Sequence, residues 1–139
     1  TQKEEKGRES RQDLRGSEHI LLVEDEGGLQ IMLGKMLRLY GYKVTTAGSG
    51  TEGIERFSAN PEEYQMIITD VVMPDISGIE MVARLNDQFG DIPVLYMSGY
   101  TDDEVIRHGI VERGIRFIQK PFTPNKITQK IRQILDGKN

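Results

Sequence analysis

The sequence predicts an α/β fold: a doubly wound, five-stranded parallel sheet in the order 2-1-3-4-5, with five helices. Three observations lead there. Apolar runs at 20–23, 66–69 and 94–97 and alternating runs at 42–46 and 115–119 are separated by stretches of helical period, the signature of repeated βαβ units. Continuous runs fit strands buried on both faces and alternating runs fit edges, so runs two and five lie outermost once crossovers are right-handed. Helix-start signals recur between the runs.

Taken in order, strand one (20–23) ends at Glu24 and Asp25. The first helix is expected over about 26–40, with Leu29, Leu33, Met36, Leu37 and Tyr40 as its inward stripe and Gly41 as its stop. Ser49 with Glu52, Ser77 with Glu80 and Thr101 with Glu104 all read S/T-x-x-E, so each hydroxyl can cap the third helical amide while the Glu returns to the cap's own N–H. Thr123 followed by Pro124 marks the fifth start, since proline at the first helical position sacrifices no hydrogen bond. Met32, Met36 and Met81 fall at helical spacing and read as core, while His19 and His108 lack metal-ligand spacing and read as surface.

Composition narrows the function. The 139 residues suit one domain, and the absence of cysteine excludes disulfides, thiolate catalysis and zinc-thiolate sites. A net charge of −4 gives no support for nucleic-acid binding. Without a membrane-length apolar stretch or a signal peptide, the chain reads as cytoplasmic, with no membrane contact. Residues 1–18 carry five basic and five acidic side chains with Leu14 as the only large apolar one, so they read as a disordered tail or linker before a folded unit at 19–139. Opening on Thr1 behind a charged linker, the chain reads as a piece of a longer protein.

If the runs are parallel strands, Glu24, Asp25, Asp70, Ser98 and Lys120 converge on one rim, where the strand order reverses and such sheets bind ligands. Singly, each is more simply a helix cap or a solvated loop charge. Together, three carboxylates, a hydroxyl and an ammonium suit a divalent cation and a phosphoryl group. Three acids in one cleft repel, raising at least one pKa, and a hard divalent ion relieves that conflict.

These residues carry a resemblance over about 19–136 to the receiver domain of two-component response regulators, a flavodoxin-like fold. Its motifs are Glu24-Asp25, the stretch Thr69 to Pro74 around Asp70, Gly78, Ser98 and Lys120-Pro121. The stretches 94–100 and 119–124 look more narrowly like receivers fused to the carboxyl end of hybrid sensor histidine kinases. The resemblance implies that Asp70 accepts a phosphoryl group from a phosphohistidine of a histidine kinase or histidine phosphotransfer protein. It implies Mg²⁺ (or Mn²⁺) held by Asp25, Asp70 and the backbone carbonyl of Val72, with Glu24 bound directly or through water. Lys120 and Ser98 would cover phosphoryl oxygens, Lys120–Pro121 would be a cis peptide, and Ser98 with Phe117 would form the switch. Such a domain is not a conventional enzyme, although it catalyses its own phosphorylation and dephosphorylation. It would be a monomer or weak dimer.

Two positions depart from the family pattern: Phe117 stands where tyrosine is frequent, and Glu24 where Asp is commoner. Val72 and Tyr100, two residues past Asp70 and Ser98, are expected to orient water poorly and to cover the phosphate in part, so autodephosphorylation is expected to be slow. Ile31, Gly34 and Arg38 lie off the first helix's core stripe and suit docking of a histidine-bearing helix pair. Other classes fit less well. A flavodoxin-like nucleotide binder needs a small-residue loop where Glu24-Asp25-Glu26 stands, and an aspartyl phosphohydrolase needs a second acid where Val72 stands. A pseudo-receiver acting only as an interaction module is the third alternative.

Overall fold

The computed structural model describes residues 14–99 and 116–137. Strands β1 (His19–Val23), β2 (Lys43–Ala47), β3 (Met66–Asp70), β4 (Val94–Ser98) and β5 (Phe117–Gln119) form one parallel sheet in the order β2-β1-β3-β4-β5. Among the described residues there are four helices: α1 (Gly27–Leu39), α2 (Gly50–Ala59), α3 (Gly78–Phe89) and α4 (Pro124–Leu135). The helix start expected at Thr101, together with Tyr100 and His108, lies outside the described residues. No described helix is long and apolar enough to cross a membrane.

The burial pattern explains the strand order. Every residue of β3 is buried, whereas edge strand β2 has only Ala47 buried and edge strand β5 only Ile118. Side chains alternate between the two faces. Ile20, Leu22, Met66, Ile68, Leu95 and Met97 pack with Leu33 and Leu37 of α1 and Ile127 and Ile131 of α4. Leu21, Val23, Ile67 and Tyr96 pack with Phe57 of α2 and Met81, Val82 and Leu85 of α3. Among the described residues each face buries a continuous apolar layer, so the polar cluster on the sheet axis falls at the strand ends.

The caps follow the expected residues but not always the expected bonds. Ser49, Ser77 and Thr123 each accept from the backbone N–H three residues on, at 3.1, 3.0 and 3.1 Å. In the two boxes within the described residues, Ser49 with Glu52 and Ser77 with Glu80, the return bond does not form. Glu52 accepts from Gly48 N–H (3.2 Å), and Glu80 lies 3.1 Å from Arg84 one turn later. An ion pair at i,i+4 competes successfully for a carboxylate that the box would use.

Two further expectations need correction. Met32 is 58% exposed rather than core, because it lies on the side of α1 away from Leu33 and Leu37, whereas Met36 packs against the core and Met81 is fully buried. Composition predicts an unpacked leader through residue 18, yet Leu14 is buried and Tyr42 Oη donates to its carbonyl at 3.4 Å. Gly16 N–H donates to Tyr40 O (3.1 Å), and Gly41, at φ +100°, passes so close to Gly16 O that a side chain there would collide. Glu18 accepts from both terminal nitrogens of Arg132 at 2.9 and 3.1 Å, which holds the Glu18 carboxyl below its ordinary pKa. Charge in this leader is thus matched to α4, a pairing 114 residues apart.

Candidate functional site

Register brings the functional side chains level. Val23 pairs with Thr69 and Asp70 with Met97, so Glu24, one residue past β1, stands beside Asp70. Ser98 pairs with Gln119, so Lys120 follows directly at the end of β5. The Lys120–Pro121 peptide is cis. Glu24, Asp25 and Asp70 offer carboxylate oxygens that all lie within 4.8 Å of one another. Lys120 Nζ lies 2.6 Å from Asp70 Oδ1 and 2.9 Å from Glu24 Oε1.

One lysine does not balance three acids. Burial and the neighbouring Glu24 carboxylate push Asp70 up to about 8, against the pull of Lys120. Burial also acts against ionised Glu24, but hydrogen bonds with Asp70 and Lys120 outweigh it and hold Glu24 below its ordinary value. Asp25, exposed at the mouth, is raised by the desolvation it does suffer and by Glu24. Burial opposes charge on Lys120 too, yet its bonds to Asp70 and Glu24 keep its pKa above normal. This all-oxygen, net-negative cluster fits a hard divalent cation such as Mg²⁺.

The loop after β3 holds the cluster's floor. Val71 N–H donates to Met97 O (3.0 Å) and its carbonyl accepts from Gly78 N–H (2.8 Å). Gly78 must be glycine, since a Cβ would overlap the Asp70 carbonyl. Asp75 accepts from Gly50 N–H (3.1 Å), Thr51 N–H (2.8 Å) and Thr51 Oγ1 (2.6 Å), tying this loop to the start of α2. These bonds to α2 hold the Asp75 carboxyl well below the usual range. Between the pins, Val72 is half exposed.

Ser98 is fully buried, and its Oγ has no hydrogen-bond partner among the described residues. A buried hydroxyl left unpaired is costly unless another ligand uses it. Phe117, two strand positions from Lys120's neighbour Gln119, is half-buried against the Tyr96 side of the sheet. The expected docking residues separate. Ile31 is 59% exposed, but Gly34 is buried beneath the Arg38 guanidinium, which donates to Val44 O at 3.1 Å. Exposed Met32 instead joins Leu29, Pro121 and Phe122 around a cavity of about 340 Å³ with Lys120 at its edge.

Two supporting residues escape the sequence reading. Glu26 accepts from Gly28 N–H (3.1 Å) and Leu29 N–H (2.6 Å), so the third acid of the run caps α1 and turns from the cluster. Gln30 reaches back from α1 to the ends of β1 and β2. An acid before a helix is a readable cap signal; a glutamine bridging two strands has none.

The chain is similar to known proteins in sequence and in fold. The chain is 32% identical over 132 residues to the sensor kinase CckA of Brucella abortus, covering 95% of this chain and 14% of that protein. It is 28% identical over 117 residues to the response regulator SaeR of Staphylococcus aureus, covering 84% of this chain and 50% of SaeR. It therefore spans half or less of the curated relatives it matches. A response regulator receiver domain structure from Clostridium thermocellum superposes with a TM-score of 0.79 at 25% identity, covering 87% of this chain and 96% of that one. The receiver domain of hybrid histidine kinase CckA gives 0.69 at 27% identity, covering 84% and 98%. The response regulator TrrA of Thermotoga maritima, solved in complex with Mg²⁺-BeF, gives 0.74 at 25% identity, covering 85% and 99%. The response regulator receiver domain family matches residues 20–132, so the acidic rim is that of a two-component receiver, and this chain belongs to that family.

Proposed function

We propose that Asp70 accepts a phosphoryl group from a phosphohistidine on a histidine kinase or histidine phosphotransfer protein, with Mg²⁺ (or Mn²⁺) bound, and that the change switches the domain's surface. The observation that carries this reading is the convergence on Asp70. A buried carboxylate has Lys120 2.6 Å away, two more acids within 4.8 Å and, on the neighbouring strand, the Ser98 hydroxyl, which has no partner among the described residues.

The chain's own groups account for most of the work. An Asp70 carboxylate oxygen attacks phosphorus, the P–N bond of the donor breaks, and the imidazole nitrogen keeps the electron pair. Lys120, held charged by its acidic neighbours, neutralises one transferred oxygen. Ser98 Oγ donates to another and gains a partner that it lacks among the described residues. When bound, the divalent cation supplies the remaining positive charge; Glu24, Asp25, Asp70 and the Val72 carbonyl would hold it.

Switching follows from the same hydroxyl. Drawing Ser98 toward phosphate vacates space beside β5 that the half-exposed Phe117 ring fills, a steric change needing no tyrosine hydroxyl. The docking partner is a histidine-bearing helix pair seated on Ile31 and Arg38 of α1, beside the groove of Leu29, Met32 and Phe122. The domain works in the cytoplasm as a monomer or weak dimer.

Intact mass after incubation with a small acyl phosphate, with and without Mg²⁺, tests the reading. We expect a Mg²⁺-dependent gain of one phosphoryl group in the wild type and none in Asp70→Asn. An equal gain in both proteins, or none in folded wild type quenched within seconds, overturns it.

A further inference from the structure

Glu24 is the most buried of the three acids, at 1% exposure, and its backbone lies beyond the last β1–β2 pair, Val23 with Ala47. The ladder ends with Glu24 N–H donating to Ala47 O at 3.0 Å, the bond that closes the Val23–Ala47 pair, and Gln30 Nε2 adds to it by donating to both Glu24 O and Ala47 O, each at 3.0 Å. Both acceptors are carbonyls, so only the amide nitrogen of Gln30 can serve, and a carboxylate of the same length cannot. Gln30 is itself anchored, because its backbone N–H donates to Glu26 O at 2.9 Å in the first turn of α1.

We propose that Gln30 is a positioning residue for the cation site, clamping the backbone of Glu24 to β2 so that the Glu24 carboxylate stays aimed at Asp25 and Asp70. The inference rests on the reading of this rim as a cation site. It explains how an acid one methylene longer than aspartate keeps a single orientation. Glu24 Oε1 accepts from Lys120 and Oε2 from Glu26 N–H (3.2 Å), and those bonds need a fixed backbone beneath them. It also couples the cation to the start of α1, the helix whose exposed Ile31 and Met32 stand one and two residues further on.

The test is Mg²⁺ affinity of the full chain by calorimetry, for wild type, Gln30→Met and Gln30→Glu. Loss of a bond that orients a ligand residue weakens metal affinity by about tenfold, and we expect that in Gln30→Met. Gln30→Glu separates positioning from charge: an added carboxylate near the site would tighten Mg²⁺ by Coulomb attraction, whereas loss of the clamp weakens it. In a Glu24→Gln background the Gln30→Met change should move the dissociation constant by less than about twofold, since the ligand it positions is already gone. Should Gln30→Met fail to fold, Gln30→Glu, whose end can turn to solvent, decides alone. Unchanged affinity in Gln30→Met, or tighter Mg²⁺ in Gln30→Glu, overturns the positioning role. Folded wild type that binds no Mg²⁺ overturns the cation-site reading beneath it.

Discussion

Replacing Asp70 by Asn removes the most strained charge in the protein, and the consequence has a definite pH window. Asp70 is raised from an ordinary 3.8 to about 8 by burial and by Glu24. The folded protein therefore keeps a proton that the unfolded chain releases, so this contribution to stability is fully present below 3.8 and is lost as pH rises toward 8. Each pH unit in that window is worth up to about 1.4 kcal/mol, giving a ceiling of about 4 kcal/mol between pH 5 and 8. Glu24 does not blur the result. Its pKa is lowered from 4.5, so its stabilisation is complete above that value and flat across the window. We expect wild type in chelator to lose about 2–4 kcal/mol relative to Asp70→Asn from pH 5 to 8. Urea unfolding followed by far-ultraviolet circular dichroism measures this at each pH. Mg²⁺ at a hundred times its dissociation constant should restore about 2.7 kcal/mol to the wild type at pH 8. Stability curves for the two proteins that run parallel from pH 5 to 8 would refute the claim that Asp70 holds a proton in the apo site.

Further outcomes follow from other parts of the site. Ser98→Ala removes a buried hydroxyl with no partner among the described residues, so stability should hold or rise by up to about 1 kcal/mol while phosphorylation by acyl phosphate slows; a clear loss of stability would mean the hydroxyl is bonded. Val72 is half exposed beside Asp70, and Val72→Asn combined with Tyr100→Ala should shorten the aspartyl phosphate half-life, read by the decay of the phosphorylated mass. Glu18→Gln weakens the two-pronged contact with Arg132 and should cost about 1–2 kcal/mol in urea unfolding, with faster amide exchange at Gly16. Ile31→Glu places a charge on the exposed face of α1 and should slow transfer from a cognate histidine donor without changing acyl phosphate reactivity.

The sequence by itself determined the strand order, the starts of the described helices and the identities of the rim residues. Those signals are local. Alternation in residues 42–46 against the continuous run at 66–69 separates edge from centre, and a serine or threonine ahead of α2, α3 and α4 fixes where each begins. Asp70, Ser98 and Lys120 were legible because a strand's end puts its last residues on one rim whatever packs elsewhere. Tertiary structure alone decided which atoms meet. Lys120 reaches Glu24 across 96 residues of sequence, Asp75 caps a helix that starts 25 residues before it, and Glu18 pairs with Arg132 across 114. None of these has a periodic or nearest-neighbour signature, since each depends on register and on how a helix lies over the sheet. The same holds where local expectation gave way. Glu52 and Glu80 left the capping box for better partners, Met32 faced solvent because α1's stripe was already filled, and Leu14 found a core in a segment whose composition promised none. A hydrophobic or charged side chain commits only when the folded surface offers it a partner, and that surface is assembled from residues far away in the chain.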